Sequence, residues 1–269
     1  MKKLALFILI LFHFNSYSQK NISIPENQIT QRFYENLDSL LLKYDIEDLR
    51  KSDNQAIRIW KNNEVILLGE KALYTFHTKS DKKIIVRKKE FENKSDTETK
   101  SQLIRNSVNW KNNNGMYQID AFPITIERNN GNNYNVISFY KNEQLEKIIR
   151  EIKKENSINE FRDKIIKNLP PGIYKIGMTT VRIDHFPQGE KSTFYKKILP
   201  ELEDKLKISQ DSDPTQMPLI LVNDELQYFE SLNSLNEDSI FDYKIIEDGI
   251  GSALYGSSGR FGVIKVITK

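Results

Sequence analysis

Apolar positions along this chain follow two rhythms, one of helical spacing and one of alternation. Ile29, Phe33, Leu37, Leu40 and Leu41 recur every three or four residues among acids and amides, which predicts an amphipathic helix over 29–44. Strand patterns follow. "IRIWKNNEVILLG" holds two apolar runs joined at Lys61-Asn62-Asn63, a hairpin signal. "ALYTFHT" and "KKIIVRKKEF" read as two further strands, separated at Lys79-Ser80-Asp81. "SDTETKSQLIRNSVNW" reads as a helix opening on a Ser or Asp cap. Ile124, Ile126 and the run Val136–Phe139 flank Asn129-Asn130-Gly131-Asn132-Asn133, where Asn and Gly accept positive φ, so a hairpin is expected there. "NEQLEKIIREIKKEN" and "SINEFRDKIIKNL" are charged amphipathic helices, the second ended by Pro170-Pro171-Gly172. "IYKIGMTTVRIDHF" gives one or two strands, and "KSTFYKKILPELEDKLKI" a helix with Pro200 as a candidate kink.

The polar, Pro-containing run Gln210–Gln216 is the expected boundary. Beyond it the pattern tightens. "MPLILV" is apolar without alternation, the mark of a strand buried on both faces. A short helix is expected in "FESLNSLNEDSI". "FDYKIIED" then alternates Phe241, Tyr243 and Ile245 against Asp242 and Lys244, a half-buried strand. "GIGSALYG" supplies one or two helical turns and "GRFGVIKVIT" a last strand. The expected fold class is α+β: a mixed domain with antiparallel hairpins over 29–209, a linker over 210–217, and a small βαβαβ domain over 218–269.

The chain's beginning bears on location. A basic start at Lys2-Lys3, an apolar run from Leu4 to Phe14 and the small polar Ser16 and Ser18 lay out a secretory signal peptide over 1–18. The run is about half the roughly 20 residues that a spanning helix needs, which disfavours an uncleaved anchor. Residues 19–28 read as a flexible polar lead, in which "NISIPEN" is extended enough to pair as an added strand. There is no cysteine, so disulfides and a lipidated cysteine are excluded. The 40 basic and 37 acidic residues, net +3, are interspersed, which argues against nucleic acid as a partner. The expected compartment is the periplasm, with association to the outer membrane left open.

The tail carries a resemblance. Pro218-Leu219-Ile220-Leu221-Val222-Asn223-Asp224, then Ala253-Leu254-Tyr255-Gly256-Ser257, Gly259, Gly262-Val263-Ile264 and Ile267-Thr268-Lys269 are similar to the plug domains of TonB-dependent outer-membrane receptors of the Bacteroidetes type. The similarity covers only 218–269. It implies a plug-like domain whose motif residues Tyr255, Gly256, Ser257, Gly259 and Gly262 serve the fold. Ser258 stands where that family carries an arginine, and Arg260 stands where it carries a small residue. No barrel-sized sequence follows Lys269, so the expectation is an accessory module and not a transporter. The expected partner is another envelope protein.

Chemistry is thin elsewhere. The glycines of the tail lack a GxGxxG or Walker pattern, so no nucleotide site is expected. His77 on a strand reads as structural. His185, after Asp184 and before a turn, is the one catalytic candidate, without a cysteine or GxSxG to act on. Two histidines this far apart, with no HExxH, give no zinc site, and "DSDPTQ" lacks the rest of a calcium loop. Glu201, Glu203 and Asp204 read as a solvated helix face. No catalytic residue, cofactor or metal is therefore assigned. Two alternatives to the accessory role are a hydrolase-type enzyme in the N-terminal domain and a small-ligand binder with a cavity at Trp60 or Trp110.

Overall fold

The computed structural model describes residues 20–81, 83–91, 95–108 and 122–269, of which 95–98 by backbone alone. The expected signal peptide over 1–18 and Trp110 lie outside the described residues. The chain is mixed α+β, with a nine-stranded mixed sheet and a separate four-stranded one. It divides into two compact units: His77 and the residues before it with Ile85–Asn159, and Thr78–Ile84 with Glu160–Lys269.

The first unit runs β1 (Asn21–Ser23), α1 (Gln28–Tyr44), β2 (Ala56–Lys61), β3 (Glu64–Leu68), β4 (Ala72–Ser80), β5 (Ile84–Phe91), α2 (Ser95–Ser107), β6 (Ile124–Asn129), β7 (Asn133–Phe139) and α3 (Glu143–Glu155). Its strands lie in the order β1-β7-β6-β2-β3-β4, with β5 also on β4. Helix α1 starts at Asn27, whose side chain accepts the Thr30 amide at 2.8 Å, and stops at Asp45 in the left-handed region. Its apolar stripe, Leu37, Leu41 and Tyr44, packs with Trp60, Val65, Tyr134 and Val136. The hairpin turns fall where Asn62 and Gly131 take positive φ. Within the lead expected to be flexible, Asn21–Ser23 instead pairs in parallel with Asn133–Asn135. The segment that looked ready for strand addition thus completes the edge of its own sheet.

Trp60 is core. It is buried, meets Phe33 edge-on at 5.5 Å, and donates its indole N–H to Glu127 at 2.5 Å. Arg58, directly opposite Glu127 in the β2–β6 ladder, meets the same carboxylate, and the Arg58 and Glu127 side chains are fully buried.

His77 is buried too, stacked on Tyr44 with ring centroids 3.7 Å apart, and its Nδ1 has no hydrogen-bond partner among the described residues. Burial first, and the Lys43 ammonium second, push its pKa down to about 4, against a weaker pull from Glu64. The unfolded chain therefore binds the proton more readily than the folded one. Stability is expected to fall as pH drops from the ordinary histidine value of 6.5 towards 4, by up to ~3 kcal/mol. A His77→Phe variant should lack that part of the slope in melting temperatures taken between pH 7 and 4. An unchanged slope would show that His77 does not titrate in this window.

The second unit contains α4 (Ile158–Lys167, which begins at the divide), β8 (Gly172–Ile176), β9 (Thr179–Ile183), α5 (Thr193–Leu206), β10 (Leu219–Val222), β11 (Glu225–Gln227), α6 (Phe229–Ser234), β12 (Ile240–Ile246), α7 (Asp248–Tyr255) and β13 (Val263–Thr268). Strand β8 pairs antiparallel with β9 and with the end of β4, at Lys79–Lys175 and Ser80–Tyr174. The Thr78 hydroxyl donates to the Lys175 carbonyl at 2.8 Å. The four-stranded sheet has the order β11-β10-β13-β12, with β10 and β13 parallel and the other two pairings antiparallel.

Helix α5 is capped by Ser192 and continues through Pro200. Its Phe194, Tyr195, Ile198 and Leu202 share one core with Ile220, Phe229, Leu232, Ile264 and Val266. The run 210–217, polar enough to read as a linker, therefore lies inside this unit: the helix before it and the sheet after it close on the same apolar cluster. A strand beyond the expected βαβαβ order is also present. Asn223 and Asp224 both take positive φ and turn β10 back into β11, so the tail reads ββαβαβ.

Candidate interaction surface on the C-terminal unit

An ion pair between a half-buried guanidinium and a fully buried carboxylate holds β9 to the start of α6. Arg182 and Asp184 sit two residues apart and their side chains meet at 2.5 Å. The guanidinium also donates to the carbonyls of Pro218 at 2.6 Å and Gln227 at 2.9 Å, and lies 5.3 Å from the centre of the Tyr228 ring. The carboxylate accepts the amides of Phe229 at 3.1 Å and His185 at 2.9 Å. Burial pushes the Asp184 carboxyl above its usual range and the Arg182 guanidinium below its own, with each partner's charge acting against the shift. Every bond here is structural in type. The His185 ring turns elsewhere, its Nε2 bonding the Leu169 carbonyl at 2.7 Å. Asp184 thus meets the backbone of His185 and not its imidazole, so the sequence pair is not a hydrolytic dyad.

The four-stranded sheet buries one face against α5 and α6 and covers the other only in part. On the covered face lie Ile220, Ile264, Val266, Tyr243 and Ile245. On the opposite face Leu219, Leu221 and Val263 are buried, with Ile246 and the half-buried Tyr255 over them. Tyr255 brings its ring to that cluster from the end of α7; among the described residues its hydroxyl makes no hydrogen bond. Strand β12 departs from the simple alternation. A bulge between Ile240 and Asp242 puts Ile240 in the core and leaves Phe241 74% exposed, where period two had placed Phe241 inward.

Helix α7 explains the glycine-rich turn. Gly256 ends it at φ 61°, and Ser257 lies exposed in the 3₁₀ turn Gly256–Gly259 that follows. A Cβ on Gly259 would stand 2.2 Å from the Gly251 carbonyl oxygen, so the turn can fold back onto the helix only with hydrogen at both positions. Gly262, at φ 88°, then redirects the chain into β13, and its carbonyl receives the Leu219 amide at 3.0 Å. The cost of this compactness is borne by the helix itself: in α7 only Gly251 is buried. Ile250 and Leu254 are 61% and 63% exposed. Isolated exposed leucines are ordinary, but these two lie four apart on one helical stripe.

Arg260 follows the turn. It is exposed, stacks its guanidinium 4.5 Å from the centre of the Phe261 ring, and has no ion pair among the described residues. Two adjoining clefts share it with Asp213: one of about 490 Å³ reaching Lys205, Lys207 and Asp248, and one of about 370 Å³ reaching Lys167 and Asp163. Asp213 is already engaged. Burial works against its charge, yet the Thr215 amide and hydroxyl and the Lys167 ammonium keep its carboxyl below the usual range. The clefts mix both signs of charge, and in the smaller one the Thr215 hydroxyl donates to Asp213 at 2.8 Å.

Among the described residues no group of three or more His, Asp or Glu side chains is placed to hold a metal ion, and no helix is long and apolar enough to cross a membrane. Comparison with models of protein families, with curated proteins and with solved structures finds no match.

Proposed function

We propose that this chain is an exported, non-enzymatic accessory protein of the bacterial envelope, and that its C-terminal unit is a plug-like module for binding another envelope protein. The observation that carries this reading is the exposure of Ile250 and Leu254 on a helix whose sole buried residue is Gly251. The resemblance of residues 218–269 to receptor plugs supports it from a separate direction. Arg260 beside this helix, without an ion pair among the described residues, supplies a cation for an acidic group on the partner.

Burying an isoleucine or leucine side chain contributes about 1.5–3 kcal/mol each, so an anchor built on these two would dominate a modest interface. Affinity capture from envelope extract, followed by reconstitution with the purified partner, tests this. Ile250→Glu/Leu254→Glu is expected to weaken the reconstituted complex more than tenfold while leaving the melting temperature within a few degrees. Equal binding by the double variant, or failure to reconstitute any pair, would overturn the proposal.

A further inference from the structure

The four-stranded sheet ends on β12, and among the described residues no strand pairs with the outer edge of β12. The opposite edge strand, β11, is three residues long, whereas β12 spans seven. A long open edge is a template for another strand, and proteins usually blunt one with charge or a bulge. Here the bulge bends only the beginning, leaving Asp242–Ile246 in regular register with β13. The charges within that window are of opposite sign.

Asp242 and Lys244 are both exposed and, two apart on regular strand, share one face about 7 Å from each other. Neither has an ion pair among the described residues. The position opposite Asp242 is Ile267, and the position opposite Lys244 is Lys265, itself paired with Asp224 at 2.6 Å. Lys244 therefore stands across from a like charge, an arrangement that disfavours the ladder unless an acid approaches from the other side.

We infer that the edge of β12 pairs antiparallel with β12 of a second copy of this chain, about a two-fold axis at Tyr243. In that register Asp242 of each copy faces Lys244 of the other, so one symmetric contact supplies both missing partners. Charge selects the register: an axis at Lys244 would set two ammonium groups together, and an axis at Asp242 two carboxylates. A parallel pairing in register would also match like with like. The contact uses a strand edge, separate from the Ile250–Leu254 stripe assigned to an envelope partner, and stands whether or not that partner exists.

Exchange of charges tests it without touching the core. The exported full-length chain is expected to dimerise in sedimentation velocity over about 1–100 μM, the range of a small interface. Asp242→Lys and Lys244→Asp should each weaken the dimer more than tenfold, because each sets four like charges across the axis. Mixing these two variants should restore a dimer made of one copy of each, and the double exchange Asp242→Lys/Lys244→Asp should restore the homodimer. Circular dichroism of each variant reports the fold directly. A monomeric parent chain at the highest concentration, or a dimer indifferent to these exchanges, would overturn the inference.

Discussion

Replacing Glu127 by glutamine will destabilise the N-terminal unit by about 3–5 kcal/mol. The carboxylate lies on β6 at no measurable exposure and accepts four hydrogen bonds: from Arg58 Nε at 2.5 Å and Nη2 at 2.6 Å, from the Trp60 indole at 2.5 Å and from the Tyr134 hydroxyl at 2.6 Å. Burial first, and the Glu127 charge second, push the Tyr134 hydroxyl far above the usual tyrosine range, so it remains a donor. Glutamine keeps the shape but removes the charge and turns one acceptor into a donor that faces donors. The guanidinium of Arg58 would then be buried without a counter-charge, left with the glutamine's one amide oxygen and the Glu47 carbonyl, at 2.5 Å, as acceptors. Removing both charges should cost less than removing one. Arg58→Met/Glu127→Leu is accordingly expected to regain only part of the loss, since it removes the unpaired charge but leaves the Trp60 indole N–H and the Tyr134 hydroxyl without their acceptor. Urea titration followed by Trp fluorescence measures both, and a Glu127→Gln loss below about 1 kcal/mol would show that the network does not hold this sheet together.

The second large effect is expected at Asp184. Asp184→Ala removes the acceptor for the Phe229 and His185 amides and the counter-charge of Arg182, and should cost the C-terminal unit about 3–5 kcal/mol. Asp184→Asn should cost less, about 1–3 kcal/mol, because the amide oxygen still accepts from the backbone. The pH dependence separates this site from His77. Burial raises the folded-state pKa of Asp184 above its unfolded value, so its contribution is fully present below the usual carboxylate range and is lost as pH rises through the raised value. The alanine variant should therefore show its largest deficit in acid and a smaller one as pH rises. Hydrogen exchange at Phe229 reports the latch locally, and protection there that survives Asp184→Ala would sink the assignment.

Local pattern carried much of this fold. Period 3.6 placed the helix from Gln28 to Tyr44, and Asn-Gly chemistry placed the β6–β7 hairpin, because both signals act within a few residues. What was not legible depends on distant or competing forces. Arg58 and Glu127 are 69 residues apart, and nothing in either neighbourhood announces the other. The Arg182–Asp184 pair was within reach, since alternate strand positions share a face, but His185 drew the reading towards catalysis. The Asn223-Asp224 turn was a hairpin signal hidden by a strand of only three residues. Phe241 left the core because a bulge broke the period by one residue. The composition of 210–217 marks exposure of the backbone, which a unit boundary and a surface loop have in common.

The chain enters the second unit at Thr78, leaves it after Ile84, and comes back only at Glu160. The β8 strand takes its antiparallel neighbour, Lys79–Ser80, from that early visit, roughly 95 positions upstream. On the ribosome those residues emerge long before the strand they will meet, and must stay unsealed while the sheet around Trp60 forms. Late closure of so distant a contact predicts slow folding for this part of the molecule. It also means that the C-terminal unit is not a cassette that a cut at residue 160 would release whole: such a piece leaves behind the strand that pairs with β8.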